Sequence, residues 1–307
     1  MTKKNDYWKE REKEWIEKNI RDDKAFARSL SDHYDKMLKS ITDDINRFYM
    51  NYAAREKLSM EEAIKKVADF DVQAFEKMAA KMVKEKDFSE YANERLRIYN
   101  ATMRINRLEM LKAQIGLEVI AANSEMEKEL KLYLDEKYRD EIERQAGILG
   151  KHTFNVSKKN LEGIINASFH GANWSQRLWV SNDELKNTLD SLLSRAMIQG
   201  MNPKNLASYL RPLLKDEVAN RKFIAERLAI TETARVQDQA QMDSFRKFGF
   251  EYCIWIAEPT ACGICEDIAE KNNGVYRIDE VPSIPAHPVC RCSKSAHVPK
   301  NSMLKGR

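Results

Sequence analysis

The stretch YDKMLKSITDDINRFYMNY, residues 34–52, decides the fold class. Its apolar residues Tyr34, Met37, Leu38, Ile41, Ile45, Phe48, Tyr49 and Tyr52 step by three and four, so a helix carries them all on one stripe. A strand would scatter them over both faces. Outward from this stretch the pattern repeats. Ile64, Val67, Asp71, Val72, Phe75, Met78, Ala79 and Met82 make a second stripe, and Ala101, Ile105, Leu108, Ile115 and Val119 a third. The first proline is Pro203, and Gly116 is the only glycine before Gly147, so the usual helix interrupters are missing from a tract rich in Ala, Leu, Lys, Glu and Arg. Residues 1–149 therefore read as a bundle or arm of long helices packed stripe to stripe. Within it, residues 1–30 alternate acids and bases so densely that little beyond Trp8, Trp15 and Phe26 is expected to be buried; the prediction is a solvated helix or a partly disordered arm.

Near Gly147 to Gly150 glycine and serine become common, and a boundary is placed there. Residues 150–250 read as a helical middle. Ser181-Asn182-Asp183-Glu184 has the spacing of a capping box, which predicts a helix opening at Ser181 with Leu185, Leu189, Leu192 and Ala196 on one face and a stop at Gly200. Asn202-Pro203 predicts a new helix, Pro212 and Asp216 a break, and Thr231 to Phe248 a further helix ended by Gly249. Beyond it, Tyr252 to Ile256, Val275 to Ile278 and Ser293 to Val298 are short strand candidates between Pro- and Gly-containing loops. The fold class is thus mainly α, with a long helical N-terminal part, a helical middle, and a small α+β module at 251–298 built on a short antiparallel sheet. Residues 299–307 form a basic tail.

Composition narrows the function. At 43% hydrophobic and 33% charged the chain is a folding chain, and it has no apolar run of membrane-span length or signal-peptide core, so cytoplasmic synthesis without a membrane partner is expected. The net charge of +4 is the charge of Ser293 to Arg307 alone, through Lys294, Lys300, Lys305 and Arg307. A nucleic-acid binder usually presents a broad basic face, and here the excess is confined to the tail.

All five cysteines lie between Cys253 and Cys292. Cys262-Gly-Ile-Cys265 is followed after twenty-four residues by Cys290-Arg-Cys292, with His287 three residues before Cys290. Paired thiolates with an imidazole are the donor set of a tetrahedral zinc site, and Gly263 suits the tight turn between the first two. Cys262, Cys265, His287, Cys290 and Cys292 offer five donors for four positions, and the spacing leaves the spare one open. Arg291 and Lys294 are placed to offset thiolate charge. Cys253, in an apolar strand, reads as core. A disulfide is not expected in a reducing compartment, and a redox pair does not need the second cluster. With donors enough to close the site, no His-Glu-x-x-His, no deaminase pattern, no P-loop and no nucleophile elbow, the zinc reads as structural and no catalytic residue is predicted. Glu266, Asp267 and Glu270 read as a solvated helix face, His33, His152 and His170 as isolated, and Glu232 with Arg235 as an ion pair one turn apart.

Residues 150–298 resemble the phage head morphogenesis family, the minor head proteins similar to the Mu F protein and the SPP1 minor head protein. The residues carrying the resemblance are Trp174-Ser175-Gln176-Arg177-Leu178-Trp179, Gly200-Met201-Asn202-Pro203, Ile230-Thr231-Glu232-Thr233-Ala234-Arg235, and the Cys262/Cys265 pair with His287-Pro-Val-Cys290-Arg-Cys292. Two segments depart from the common pattern: Glu258-Pro-Thr-Ala precedes Cys262 where the family often has Asp-x-x-Thr, and Ile230 stands where it usually has arginine. The resemblance implies a structural minor capsid protein of a tailed bacteriophage. Its place would be the head interior near the portal, in contact with portal, scaffold or major capsid protein, acting in head assembly and in DNA packaging or ejection. The competing reading is a zinc-containing DNA-binding protein that uses the basic tail on the packaged genome. Related domains also occur fused to toxins, but fifteen residues after Cys292 leave no room for an effector domain.

Overall fold

The computed structural model describes residues 2–53, 107–198 and 203–299. The second stripe, Ala101 and Ile105 of the third, and the tail from residue 300 lie outside the described residues. Among these, six α-helices precede or flank a small sheet: α1 (Thr2–Ala53), α2 (Arg107–Ile148), α3 (Lys158–Ile165), α4 (Trp174–Ile198), α5 (Pro203–Lys247) and α6 (Gly263–Glu270). Strands β1 (Tyr252–Ile256), β2 (Val275–Arg277) and β3 (Ser293–His297) form an antiparallel sheet in the order β2-β1-β3. Its register pairs Cys253 with Tyr276 and with Ala296. A mainly helical chain with a small C-terminal sheet and a cysteine cluster is what the sequence predicted. No described helix is long and apolar enough to cross a membrane.

The chain divides into two compact units. One comprises the described residues of Met1–Arg28, Glu129–Trp174 and Ala225–Arg307; the other those of Ser29–Lys128 and Ser175–Ile224. In the second unit, α1 buries Leu30, Tyr34, Met37, Ile41 and Ile45, four of them on the stripe that the sequence marked out. Leu111, Ile115 and Val119 of α2, Leu178, Trp179, Leu185, Leu189 and Leu193 of α4, and Leu210, Leu214 and Val218 of α5 are buried with them. Polar bonds also join the helices of this unit. The Tyr34 hydroxyl donates to Asn182 Oδ1 at 3.1 Å, and Trp179 Nε1 donates to Glu127 Oε2 at 3.1 Å, with Ser175 on the other oxygen of that carboxylate.

Three predicted helix boundaries are absent, at Ser181, at Pro212 with Asp216, and at Thr231, which lies inside α5. Ser181 opens no helix: α4 runs from Trp174 through it, and Ser181 is buried. The same three-residue spacing that makes a capping box also puts Ser181 and Glu184 on one helix face. There Arg221 Nη1 reaches Glu184 Oε2 at 2.8 Å and Ser181 Oγ at 3.4 Å. Nor does Pro212 break α5. Its ring is exposed, while Leu210, Leu214 and Val218 stay buried, and their packing outweighs the roughly 3 kcal/mol that an interior proline costs. The ends at Gly150 and Gly249 do hold. At each, a glycine with positive φ (63° and 76°) lets two amides turn back: Lys151 N to Ala146 O at 2.8 Å, and Phe250 N to Phe245 O at 2.9 Å.

In the first unit the sheet is buried on both faces. Ile254 and Ile256 pack with Ile16 of α1, whereas Cys253 packs with Met242 and Phe245 of α5. Trp255 joins Cys265, Cys290 and Cys292 around Ala234 and Ile284. Gly274, at φ 73°, feeds β2 where a side-chain carbon would lie 2.9 Å from the Trp255 carbonyl oxygen, so no other residue fits. Residues 10–28 are helical with Phe26 buried, both as expected, but they bury more than a solvated helix or a partly disordered arm would. Glu12, Ile16, Asn19 and Asp23 are buried with Phe26 at helical spacing. Polar side chains continue the stripe because each finds a partner. Arg144 Nη1 and Nη2 reach the two Glu12 oxygens at 2.7 and 3.0 Å, Trp15 Nε1 donates to Glu141 Oε2 at 2.9 Å, and Gln237 Nε2 donates to Asn19 Oδ1 at 3.0 Å.

Candidate metal centre

The first two donors are set by the start of α6. Cys262 occupies its N-cap in extended backbone (φ −82°, ψ 166°), and Cys265 is the third helical residue. Glu266 N donates to Cys262 O at 3.0 Å, closing that first turn and turning both sulfurs to one side. Gly263 contributes no unusual backbone angle: it is not among the glycines with positive φ, and a side-chain carbon there meets nothing within 4 Å. The expectation that the turn needs glycine at 263 is therefore overturned, since a helix N-terminus already gives Cys-x-x-Cys its geometry.

The second half arrives on a strained turn. Val289 has φ 68°, which for a β-branched residue costs on the order of 1–3 kcal/mol and persists only where its surroundings over-determine it. Here Val289 N donates to Thr231 Oγ1 on α5 at 3.0 Å, and Cys290 N donates to His287 O at 3.2 Å. Thr231 in turn donates to Arg227 O at 2.6 Å. The turn brings His287 Nε2 to 3.1 Å from both Cys262 Sγ and Cys265 Sγ. His287 Nδ1 lies 2.9 Å from Pro288 O, and a carbonyl can only accept, so Nδ1 carries the proton and Nε2 presents its lone pair to the sulfurs.

Cys265 Sγ is 3.7 Å from Cys290 Sγ. All five predicted donors are thus brought together, as two triads that share Cys265: Cys262, Cys265 and His287, then Cys265, Cys290 and Cys292. Such a group can hold a metal ion. In an ideal tetrahedral zinc site the sulfur–sulfur edge is ~3.8 Å and the sulfur–nitrogen edge ~3.6 Å, as follows from the bond lengths. The first edge is matched and the second is about half an ångström shorter than ideal. Cys253 stands apart in the core, as predicted.

The buried sulfurs share little charge among themselves. A hydrogen bond from the Cys292 thiol, working against burial, pulls Cys290 down to about 5. The same bond, together with burial, pushes Cys292 far above the ordinary thiol range. Burial and then the Cys290 charge push Cys265 up to about 12. A bound dication would change that balance, expelling protons from the thiols it meets.

The predicted charge offset is not what Arg291 and Lys294 provide. Arg291 pairs with Asp23 of α1 and donates to Gln237 Oε1 at 2.9 Å. Lys294, 1% exposed, sits 2.7 Å from Asp238 Oδ1. Arg291 lies opposite Cys290 and Cys292 because neighbours alternate sides along extended chain, whereas Lys294, on the cysteines' side by the same alternation, is taken up by Asp238. Two residues beyond the predicted set also shape the centre: Thr231, and Glu258, whose Oε1 accepts from Arg291 N at 2.8 Å. Glu258 is half-buried, and burial raises its carboxyl above the usual value. The Glu232–Arg235 pair forms as predicted at 2.6 Å, and the guanidinium also donates to Ile164 O and Ile165 O, covering the end of α3. Glu266, Asp267 and Glu270 are exposed.

No protein-family model, curated protein or solved structure matches the chain.

Proposed function

We propose that the C-terminal module folds around one structural zinc ion held by Cys262, Cys265, His287 and Cys290, and that the chain is a structural, non-enzymatic minor head protein of a tailed bacteriophage. The observation that carries the zinc reading is the convergence of His287 Nε2 on Cys262 and Cys265, with Cys290 at 3.7 Å from Cys265. Cys292 is the spare donor: it lies in a triad with Cys265 and Cys290, but the close contacts of the cluster run among Cys262, Cys265, His287 and Cys290. Four ligands leave no open coordination position, which favours a staple over a catalyst.

The head-protein reading rests on the sequence resemblance of residues 150–298, and the segments that carry it have structural work in this fold. Ser175 and Trp179 hold Glu127, Thr231 holds the His287–Cys290 turn, and Arg235 covers α3. Portal, scaffold or major capsid protein is the partner class. The test of the centre is metal analysis of purified protein: one equivalent of zinc in the wild type and in Cys292→Ser, and loss in Cys290→Ser. Wild type prepared under reducing conditions without metal would sink it. The test of the assembly role is co-purification with heads or portal from infected cells; absence from both rejects it. The DNA-binding alternative has lost Lys294 to a buried ion pair, and it now requires salt-dependent DNA affinity that disappears with residues 299–307.

A further inference from the structure

We infer that the metal centre and the N-terminal helix are thermodynamically linked, so that metal occupancy holds residues 12–26 of α1 in place and their docking in turn tightens the metal. The inference rests on the zinc reading of the C-terminal module. Its basis is the alternation in Cys290-Arg291-Cys292-Ser293. With Cys290 fixed on the metal, the extended backbone aims Arg291 and Ser293 at other partners, and two of those are on α1. Arg291 pairs with Asp23, and Ser293 Oγ donates to Glu12 Oε2 at 2.9 Å.

These contacts are buried: Arg291 is 5% exposed, Asp23 1% and Ser293 5%. The apolar contact between α1 and the module is small, Ile16 with partly buried Ile20 against Ile254, Ile256 and Val275. What secures residues 12–26 to the module is therefore mainly polar, and polar pairs act only while their geometry is kept. If the metal leaves, the Cys290–Ser293 backbone is no longer pinned. Asp23 then retains the Tyr133 hydroxyl at 3.1 Å but loses its one guanidinium, which leaves a buried carboxylate without a counter-charge. Linkage requires reciprocity: the factor by which bound metal strengthens docking of residues 12–26 is the factor by which their docking strengthens metal binding, so removing the Asp23–Arg291 pair must weaken the metal.

Asp22, the neighbouring residue, supplies the control. It pairs directly with Lys137 on α2 and Lys18 on α1 and acts on Arg291 only through its charge, so its substitution should affect the metal far less. The experiment is chelator competition on zinc-loaded full-length protein, alongside hydrogen exchange of the loaded and stripped forms. Asp23→Asn is expected to bind zinc at least about tenfold more weakly than wild type, within the usual span of coupling between two sites, while Asp22→Asn loses far less. Stripping the wild type should speed amide exchange over residues 12–26. Equal zinc affinity in Asp23→Asn and wild type overturns the linkage. If Asp23→Asn does not fold, the exchange experiment decides, and unchanged exchange over residues 12–26 after stripping overturns it. A wild type that never takes up zinc defeats the metal reading instead, a different and separately visible result.

Discussion

The two halves of α1 obey the same spacing with opposite chemistry. From Leu30 to Ile45 the buried side chains are apolar or, in Tyr34, nearly so, except Asp44, which accepts from Gln114 Nε2 at 3.2 Å; from Glu12 to Phe26 they include Glu12, Asn19 and Asp23. In the first case each fully buried side chain contributes roughly 1.5–3 kcal/mol whichever apolar surface it meets. In the second, desolvation consumes most of what pairing returns, so the segment is held where Arg144, Gln237 and Arg291 are correctly placed and nowhere else. One half of the helix adheres. The other half selects its position, and part of what it selects is a surface shaped by the cysteine cluster.

The largest effect should come from the residue common to both triads. Cys265→Ser removes a donor shared by the whole cluster, and the proposed structural zinc would supply on the order of 10 kcal/mol to a module this small. Zinc content should fall from about one equivalent per chain to near none, with loss of protection in residues 252–297. A variant that kept its metal would place the site on the other donors. Next, Ile41→Ala in the apolar half should lower stability by about 2–5 kcal/mol in denaturant unfolding, with zinc content unchanged. A loss of zinc there would show that the two halves are not separable in the way proposed. Third, Tyr34→Phe deletes the bond to Asn182 and leaves a buried amide oxygen one donor short, for about 1–3 kcal/mol. A cost far above that range would mean the apolar half also depends on polar geometry.

How much of this could be read in advance follows from the same contrast. The stripe from Tyr34 to Ile45 was legible because apolar residues announce burial by type. The polar stripe was not, because Glu12 and Asp23 are buried through partners more than a hundred residues away, Arg144 for one and Arg291 for the other. All five donors of the cysteine cluster were legible, since thiolate and imidazole pairs at short spacing have few other uses. The second triad's overlap with the first was not, as it depends on the positive φ of Val289 and on Thr231 from a helix far back in the chain. Ser181 and Pro212 misled for a related reason: a capping-box spacing and a proline are local signals, and the burial of α4 and α5 overrode them.

The smallest predicted effect sharpens the contrast inside the polar half itself. Asp22 is adjacent to Asp23, but about a third of its side chain is exposed. Burial raises its carboxyl, but hydrogen bonds from Lys137 and Lys18, each at 2.7 Å, outweigh that and hold it below the usual 3.8. A carboxyl depressed by folding stabilises at pH values above its unfolded pKa, and that contribution disappears as pH falls through the folded one. At neutral pH Asp22→Asn should therefore cost less than about 1 kcal/mol, as expected for a pair that water still reaches. The gap from wild type should close as pH falls below about 4, where the wild-type carboxyl takes up its proton. Urea unfolding of both proteins across that range measures it. A gap that stayed constant into acid would assign the effect to the amide rather than to the lost charge, and Asp22 would then belong with Asp23 among the residues that position the helix.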